Sequence, residues 1–215
     1  KNYNDFKNLY LEESSYPFFI KANDVNSWRK KISPTRKGYV VKNYNQLEIK
    51  IKNLLDKKIE CLIQEVILGP DDNNYKGCVY VSKNNNISFF SLQKIHHHPI
   101  HFGIGSLVVS KNKDELESIT RKLFSSIKYK GIGSAEFKID DRDGKFKLIE
   151  INPRYWQQNS LAYKCGINFP LIDYLDAVDR QVVFENTFQD DIKWVNLNLD
   201  YNSYCDYRKE GSLTL

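Results

Sequence analysis

The stretch that most constrains this chain is a pair of alternating segments flanking Asp141-Arg142-Asp143-Gly144. Ala135-Glu136-Phe137-Lys138-Ile139 precedes the turn, and Leu148-Ile149-Glu150-Ile151-Asn152-Pro153-Arg154 follows it. Side chains on a strand alternate between faces, so the pattern predicts a hairpin with unlike faces. A loop of Arg142, Asp143 and Gly144 fits, because its last residue needs a positive φ and glycine takes one without steric cost. That loop sets Glu136 opposite Glu150 and Ser134 opposite Asn152. Glu136, Glu150 and Asn152 then share one face. Ala135, Phe137, Ile139, Ile149 and Ile151 supply the other, which is apolar and faces a core.

Two carboxylates directly opposed on a strand pair repel, and something must offset them. A divalent cation held by oxygen ligands does so, and magnesium suits such a set. The alternative is a solvated outer face with Lys138 screening both glutamates. Arg154 continues past Asn152 toward the same side. Its guanidinium offers either a fork for phosphate oxygens or a surface salt bridge.

Around this hairpin the chain reads as α+β with antiparallel sheets, because strands outnumber crossover helices. Strands are expected over 18–21, 38–42 and 61–67. A helix follows Asn45, its candidate cap, with Leu47, Ile51, Leu54 and Leu55 as its apolar stripe. Residues 75–82 and 87–95 form a second hairpin turning at 84–86. Another helix carries Leu116, Ile119, Leu123 and Ile127, and 156–164 and 169–179 are helical. Trp194 to Leu199 is an edge strand. The expected division is a small lobe with lead-in at 1–68, a large lobe at 69–180, and an extension at 181–215. No apolar run approaches the ~20 residues of a membrane helix. The net charge of +5 is spread along the chain without a dense basic face, which argues against a nucleic-acid partner. The four cysteines lack zinc or redox spacing and suit a reducing cytoplasm. His96 and His98 alternate on a strand and could chelate zinc, but no second cluster supplies further ligands. The chain starts at Lys1 and has no Met, so it reads as a piece of a longer polypeptide.

Taken together, Glu136-Phe137-Lys138 and Glu150-Ile151-Asn152-Pro153-Arg154 resemble the ATP-grasp superfamily, in its carbamoyl-phosphate-synthase-like and D-aspartate-ligase-like branch. Tyr16-Pro17-Phe18-Phe19-Ile20-Lys21 is similar to the family strand whose terminal lysine binds the α/β-phosphates. Gln64-Glu65-Val66-Ile67 before Gly69 resembles the hinge whose backbone bonds adenine. Asp72 follows as the ribose candidate, against a plain polar turn. Lys94 to Ser106 resembles a phosphate- and substrate-contacting segment, with Gln93 and His96 where the family often has arginines. The loop between Lys21 and Val40 would cover phosphates through Arg36 or Lys37. The resemblance runs over 16–179.

The resemblance implies a two-lobed ATP-grasp fold and a ligase that activates a small carboxylate as an acyl-phosphate and passes it to an amine. It implies ATP with two magnesium ions, or manganese, as cofactors. Glu136, Glu150 and Asn152 would be metal ligands, Arg154 and Lys94 catalytic contacts, and Lys21, Lys37, Gln64, Glu65, Val66, Ile67 and Asp72 nucleotide contacts. A homodimer is allowed. The family's N-terminal α/β domain and its early lysine have no counterpart, which implies that this stretch alone is inactive. A nucleotide-binding module without turnover and a carboxylase- or carbamoyl-phosphate-type enzyme are the competing readings.

Overall fold

A computed structural model of the chain describes residues 16–34, 37–184 and 187–212. The chain divides into two compact units, Lys1–Ile67 and Leu68–Leu215. Each is built on an antiparallel sheet with flanking helices.

In the first unit, β1 (Phe18–Ala22) is the centre of a three-stranded antiparallel sheet, between β2 (Tyr39–Val41) and β3 (Cys61–Glu65). Two helices cover it, α1 (Val25–Lys31) and α2 (Tyr44–Asp56). The segment expected as a loop therefore begins with a helix. Asp24 starts it by accepting from the amides of Asn26 and Ser27, each at 3.0 Å, which satisfies two of the orphan donors of its first turn. Trp28 then anchors it in the core at 2% exposure. Arg36 lies outside the described residues. The cap of α2 is Asn43, not Asn45: its side chain accepts from the Gln46 amide at 3.0 Å. Leu47, Ile51 and Leu54 point inward from α2 onto Phe18, Ile20 and Val41. Full burial of each is worth roughly 1.5–3 kcal/mol, and that attraction holds helix to sheet.

The second unit is a six-stranded antiparallel sheet in the order β8-β7-β4-β5-β6-β9. Its strands are β4 (Asn74–Val81), β5 (Ile87–His98), β6 (Ile104–Ser110), β7 (Gly131–Ile139), β8 (Phe146–Asn152) and β9 (Lys193–Val195). On one face α3 (Asp114–Ser126) packs through Leu116 and Phe124 against Tyr75, Val79, Phe89, Ala135 and Phe137. Its stripe is rotated from the expected one. Thr120 is buried, where its side chain lies against Gly77 with no room for a Cβ, and Ile127 is 50% exposed. On the other face α4 (Asn159–Lys164) and α5 (Phe169–Ala177) cover Cys78, Tyr80, Phe90 and Leu92. The C-terminal stretch joins the sheet. β9 is its edge, and α6 (Leu197–Glu210) takes in Leu199, which the sequence placed on a strand. Among the described residues no helix is long and apolar enough to cross a membrane.

The carboxylate hairpin forms with one instructive difference. Asp140 and Lys145 close the turn, so the loop has four residues, and Gly144 holds φ at +68° within it. That shifts the register by one: Phe137 pairs with Leu148 and Lys138 with Lys147. A bulge between Glu136 and Phe137 then absorbs Ile149, and Glu136 meets Glu150 while Ser134 meets Asn152. Ile149 consequently drops out of the apolar face that retains Ala135, Phe137, Ile139 and Ile151.

Candidate nucleotide-phosphate site

The covered face of the large sheet is apolar at one end and charged at the other. Period-two alternation carries Cys78 and Tyr80 into the core beneath α4 and α5, and carries Lys76 from the same face of β4 into the polar end. There Lys76 lies opposite Glu136 on β7. Lys76 Nζ stands 3.0 Å from Glu136 Oε1, and Lys94, reaching from β5, donates a short bond to Oε2. The lysine side chains are 9% and 4% exposed and that of Glu136 is 16%. Burial alone would raise the Glu136 carboxyl, but Lys94 and Lys76 together hold it well below the usual carboxylate range.

One strand further out, Glu150 is exposed. Asn152 Nδ2 donates to Glu150 Oε1 at 2.9 Å, and Arg154 Nη2 donates to Asn152 Oδ1 at 3.3 Å. The register thus brings Glu136, Glu150, Asn152, Lys94 and Arg154 together. The offset for Glu136 differs from expectation, because two ammoniums supply it. Lys138 does not screen the glutamates: its Nζ donates to the Gly69 carbonyl at 2.5 Å. A hard cation still fits here. Glu150 and the Asn152 carboxamide are oxygen donors at an exposed edge, and the Ser134 hydroxyl across from Asn152 is buried without a partner. Lys76 was missed by sequence reasoning. Its signal, a lysine in phase with Cys78 and Tyr80, is visible only once β4 is known to be central.

The two departures from the family pattern both have structural partners. Gln93 Nε2 donates to the Asp72 carbonyl at 2.8 Å, and His96 Nδ1 lies 2.8 Å from Asp200 Oδ1 on α6. His98 faces Asp206 at 4.0 Å, so both histidines weighed for zinc and set aside are turned toward the acids of α6. Among the described residues no cluster of three or more His, Cys, Asp or Glu could hold a metal ion. Asp72 is exposed in a single 3-10 turn, Asp71–Asn73. Its neighbour Asp71, not singled out in the sequence, accepts from Tyr207 Oη at 2.5 Å and from the His101 amide at 2.9 Å. His97 is buried beside this group with Nε2 unpartnered. Burial, reinforced by the Lys94 charge, pushes its imidazole down to about 4.

In the first unit Lys21 is half-buried on β1 opposite Leu62, and Gln64 pairs with Phe19. The Val66 amide donates to the Pro17 carbonyl at 3.1 Å. Lys37 is exposed beside β2.

Comparison with known proteins agrees with this architecture. Residues 47–173 match the family described as the carbamoyl-phosphate synthase L chain, ATP binding domain. The chain is 22% identical over 216 residues to D-aspartate ligase of Enterococcus faecium (strain Aus0004), covering 95% of this chain and 51% of that protein. The ADP complex of N5-carboxyaminoimidazole synthetase from Staphylococcus aureus superposes with a TM-score of 0.63 at 18% identity, over 90% of this chain and 51% of that one. Biotin carboxylase from Campylobacter jejuni, in a β,γ-ATP complex, gives 0.64 at 17% identity, over 84% and 41%. At such identities these structures share the fold. The chain spans about half the length of the relatives it matches.

Proposed function

The chain belongs to the family of the carbamoyl-phosphate synthase L chain, ATP binding domain, and on that premise we propose that it forms the ATP-binding half of an ATP-grasp enzyme that couples a small carboxylate to an amine through an acyl-phosphate. The observation that carries this reading is the convergence of Glu136, Glu150, Asn152, Lys94 and Arg154 on one end of one sheet face. In the proposed reaction the γ-phosphoryl group of ATP passes to a carboxylate oxygen, giving ADP and an acyl-phosphate. The amine then attacks the acyl carbon, and phosphate leaves as the amide forms. Such a reaction depends on positioning and on charge placed where charge develops. Arg154 presents a guanidinium fork to the transferred group, and Asn152 orients that fork through its Oδ1. Lys94 is fixed by Glu136 and offers a desolvated ammonium to an anionic oxygen. Glu150 and Asn152 would hold Mg2+, which would neutralise phosphate charge. Lys21 and Lys37 are the proposed phosphate contacts in the first unit, the backbone near 64–67 the adenine contact, and Asp72 the ribose contact.

Phosphate release from ATP by the complete polypeptide that contains this half, screened against mixed carboxylates and amines, tests the reading. Turnover that requires both substrates is expected. Calorimetry showing no heat with Mg-ATP would overturn it. The structural partners taken up by Gln93 and His96 favour one second reading, a nucleotide-binding module without turnover. The same assay separates the two, because that module would bind ADP yet release no phosphate with any substrate pair.

A further inference from the structure

Glu136 and Glu150 face each other across the same strand pair but live in unlike surroundings. Glu150 is exposed and accepts from a neutral carboxamide, that of Asn152. Glu136 is nearly enclosed, and each of its oxygens already meets an ammonium. A metal ion reaching Glu136 would have to push one lysine aside. With side chains 9% and 4% exposed, neither ammonium has ready access to water. The displaced charge would remain buried, unpaired and next to a dication. Buried charges left without a partner cost several kcal/mol, and like charges repel strongly at reduced dielectric.

We propose that Lys76 is a fixed cation of the phosphate site: with Lys94 it occupies Glu136 and takes the place of one divalent ion, so that Glu150 and Asn152 bind a single Mg2+. This rests on the ligase reading above and goes beyond it, because the resemblance implies two ions. Two ammoniums against one carboxylate leave the group with surplus positive charge. That surplus lies within the sheet beside Glu150 and Asn152, where a polyphosphate or an acyl-phosphate would bring negative charge. A lysine is a point charge that needs no loading and no coordination geometry. It can therefore do the electrostatic work of a second ion while Glu136 serves as its holder.

The test counts metal. Mn2+ is titrated into the full chain at saturating ADP, and the free ion is read by electron paramagnetic resonance. Bound ADP is measured separately by equilibrium dialysis with labelled nucleotide. One Mn2+ per bound ADP is expected for the native protein and for Lys76→Arg, which keeps the charge. Lys76→Gln frees one oxygen of Glu136 and is expected to take up two. Two Mn2+ per bound ADP in the native protein overturns the inference and leaves the ligase reading standing. Failure to bind ADP at all overturns both. Should Lys76→Gln fail to fold, as judged by its thermal transition, the native and Lys76→Arg counts decide alone. A folded Lys76→Gln that still binds one ion also overturns the proposal.

Discussion

Replacing Glu136 by glutamine keeps the shape of the side chain and removes its charge, leaving two buried ammoniums facing a neutral amide. Removing one partner of a buried ion pair costs about 3–5 kcal/mol, because the remaining charge has lost its counter-charge but not its desolvation. Lys76 and Lys94 are both well enclosed, so at least the middle of that range applies, about 4 kcal/mol. A urea slope of about 2 kcal/mol per molar converts this to a midpoint about 2 M lower. The assay is urea unfolding followed by tryptophan fluorescence, with EDTA present to exclude metal. Trp156 and Trp194 lie in the second unit, and a Trp28→Phe background silences the first. Adding Lys94→Met to Glu136→Gln removes one orphaned charge and is expected to recover at least half of the loss. A midpoint shift below about 0.5 M, or a double variant less stable than the single one, would refute the claim that these charges are buried and mutually dependent.

Further outcomes follow from the same geometry. Arg154→Ala should lower phosphate release from ATP at least ~100-fold, the scale for removing one donor to developing charge, while ADP affinity stays within a few-fold. His97 is buried with its imidazole lowered to about 4, from about 6.5 unfolded, so the unfolded chain binds the extra proton first as pH falls. Stability should therefore decline between pH 6.5 and 4 by about 3 kcal/mol, and the urea midpoint of His97→Gln should lack that slope. Glu136 is depressed, so its stabilisation is present above the unfolded carboxylate range and fades only below it, outside most of this window. Tyr207→Phe removes the bond to Asp71 and should cost about 1.5–3 kcal/mol, seen as faster amide hydrogen exchange in 197–210.

The hairpin was legible because its alternation is strict and Gly144 marks the turn. The opposition of Glu136 and Glu150 nevertheless arises by another route than counting suggests. A fourth loop residue moves the register one way, and the Ile149 bulge moves it back. No local signal distinguishes the two routes, since a bulge is fixed by packing across the sheet. β6 went unread because Gly103-Ile104-Gly105-Ser106 carries turn-forming residues, and its strand character comes from pairing with β5. α6 went unread for a different reason. Its exposed side carries Leu197, Tyr201 and Tyr204, while its buried side is Ser203 and Tyr207. Hydrogen bonds to the histidine strand hold it, and no apolar stripe announces them.

Local pattern alone determined the α+β class, the main hairpins and helices, and the side of the sheet on which both glutamates fall. Those features depend on the periods of strand and helix and on turn chemistry, which neighbouring residues set. Tertiary structure decided which cation answers Glu136. Lys76 and Lys94 lie 60 and 42 positions away along the chain and meet it only when β4 and β5 take their places beside β7. The ammoniums are close, dry and opposite in sign to the carboxylate, and that proximity is a property of strand order, which no single segment encodes.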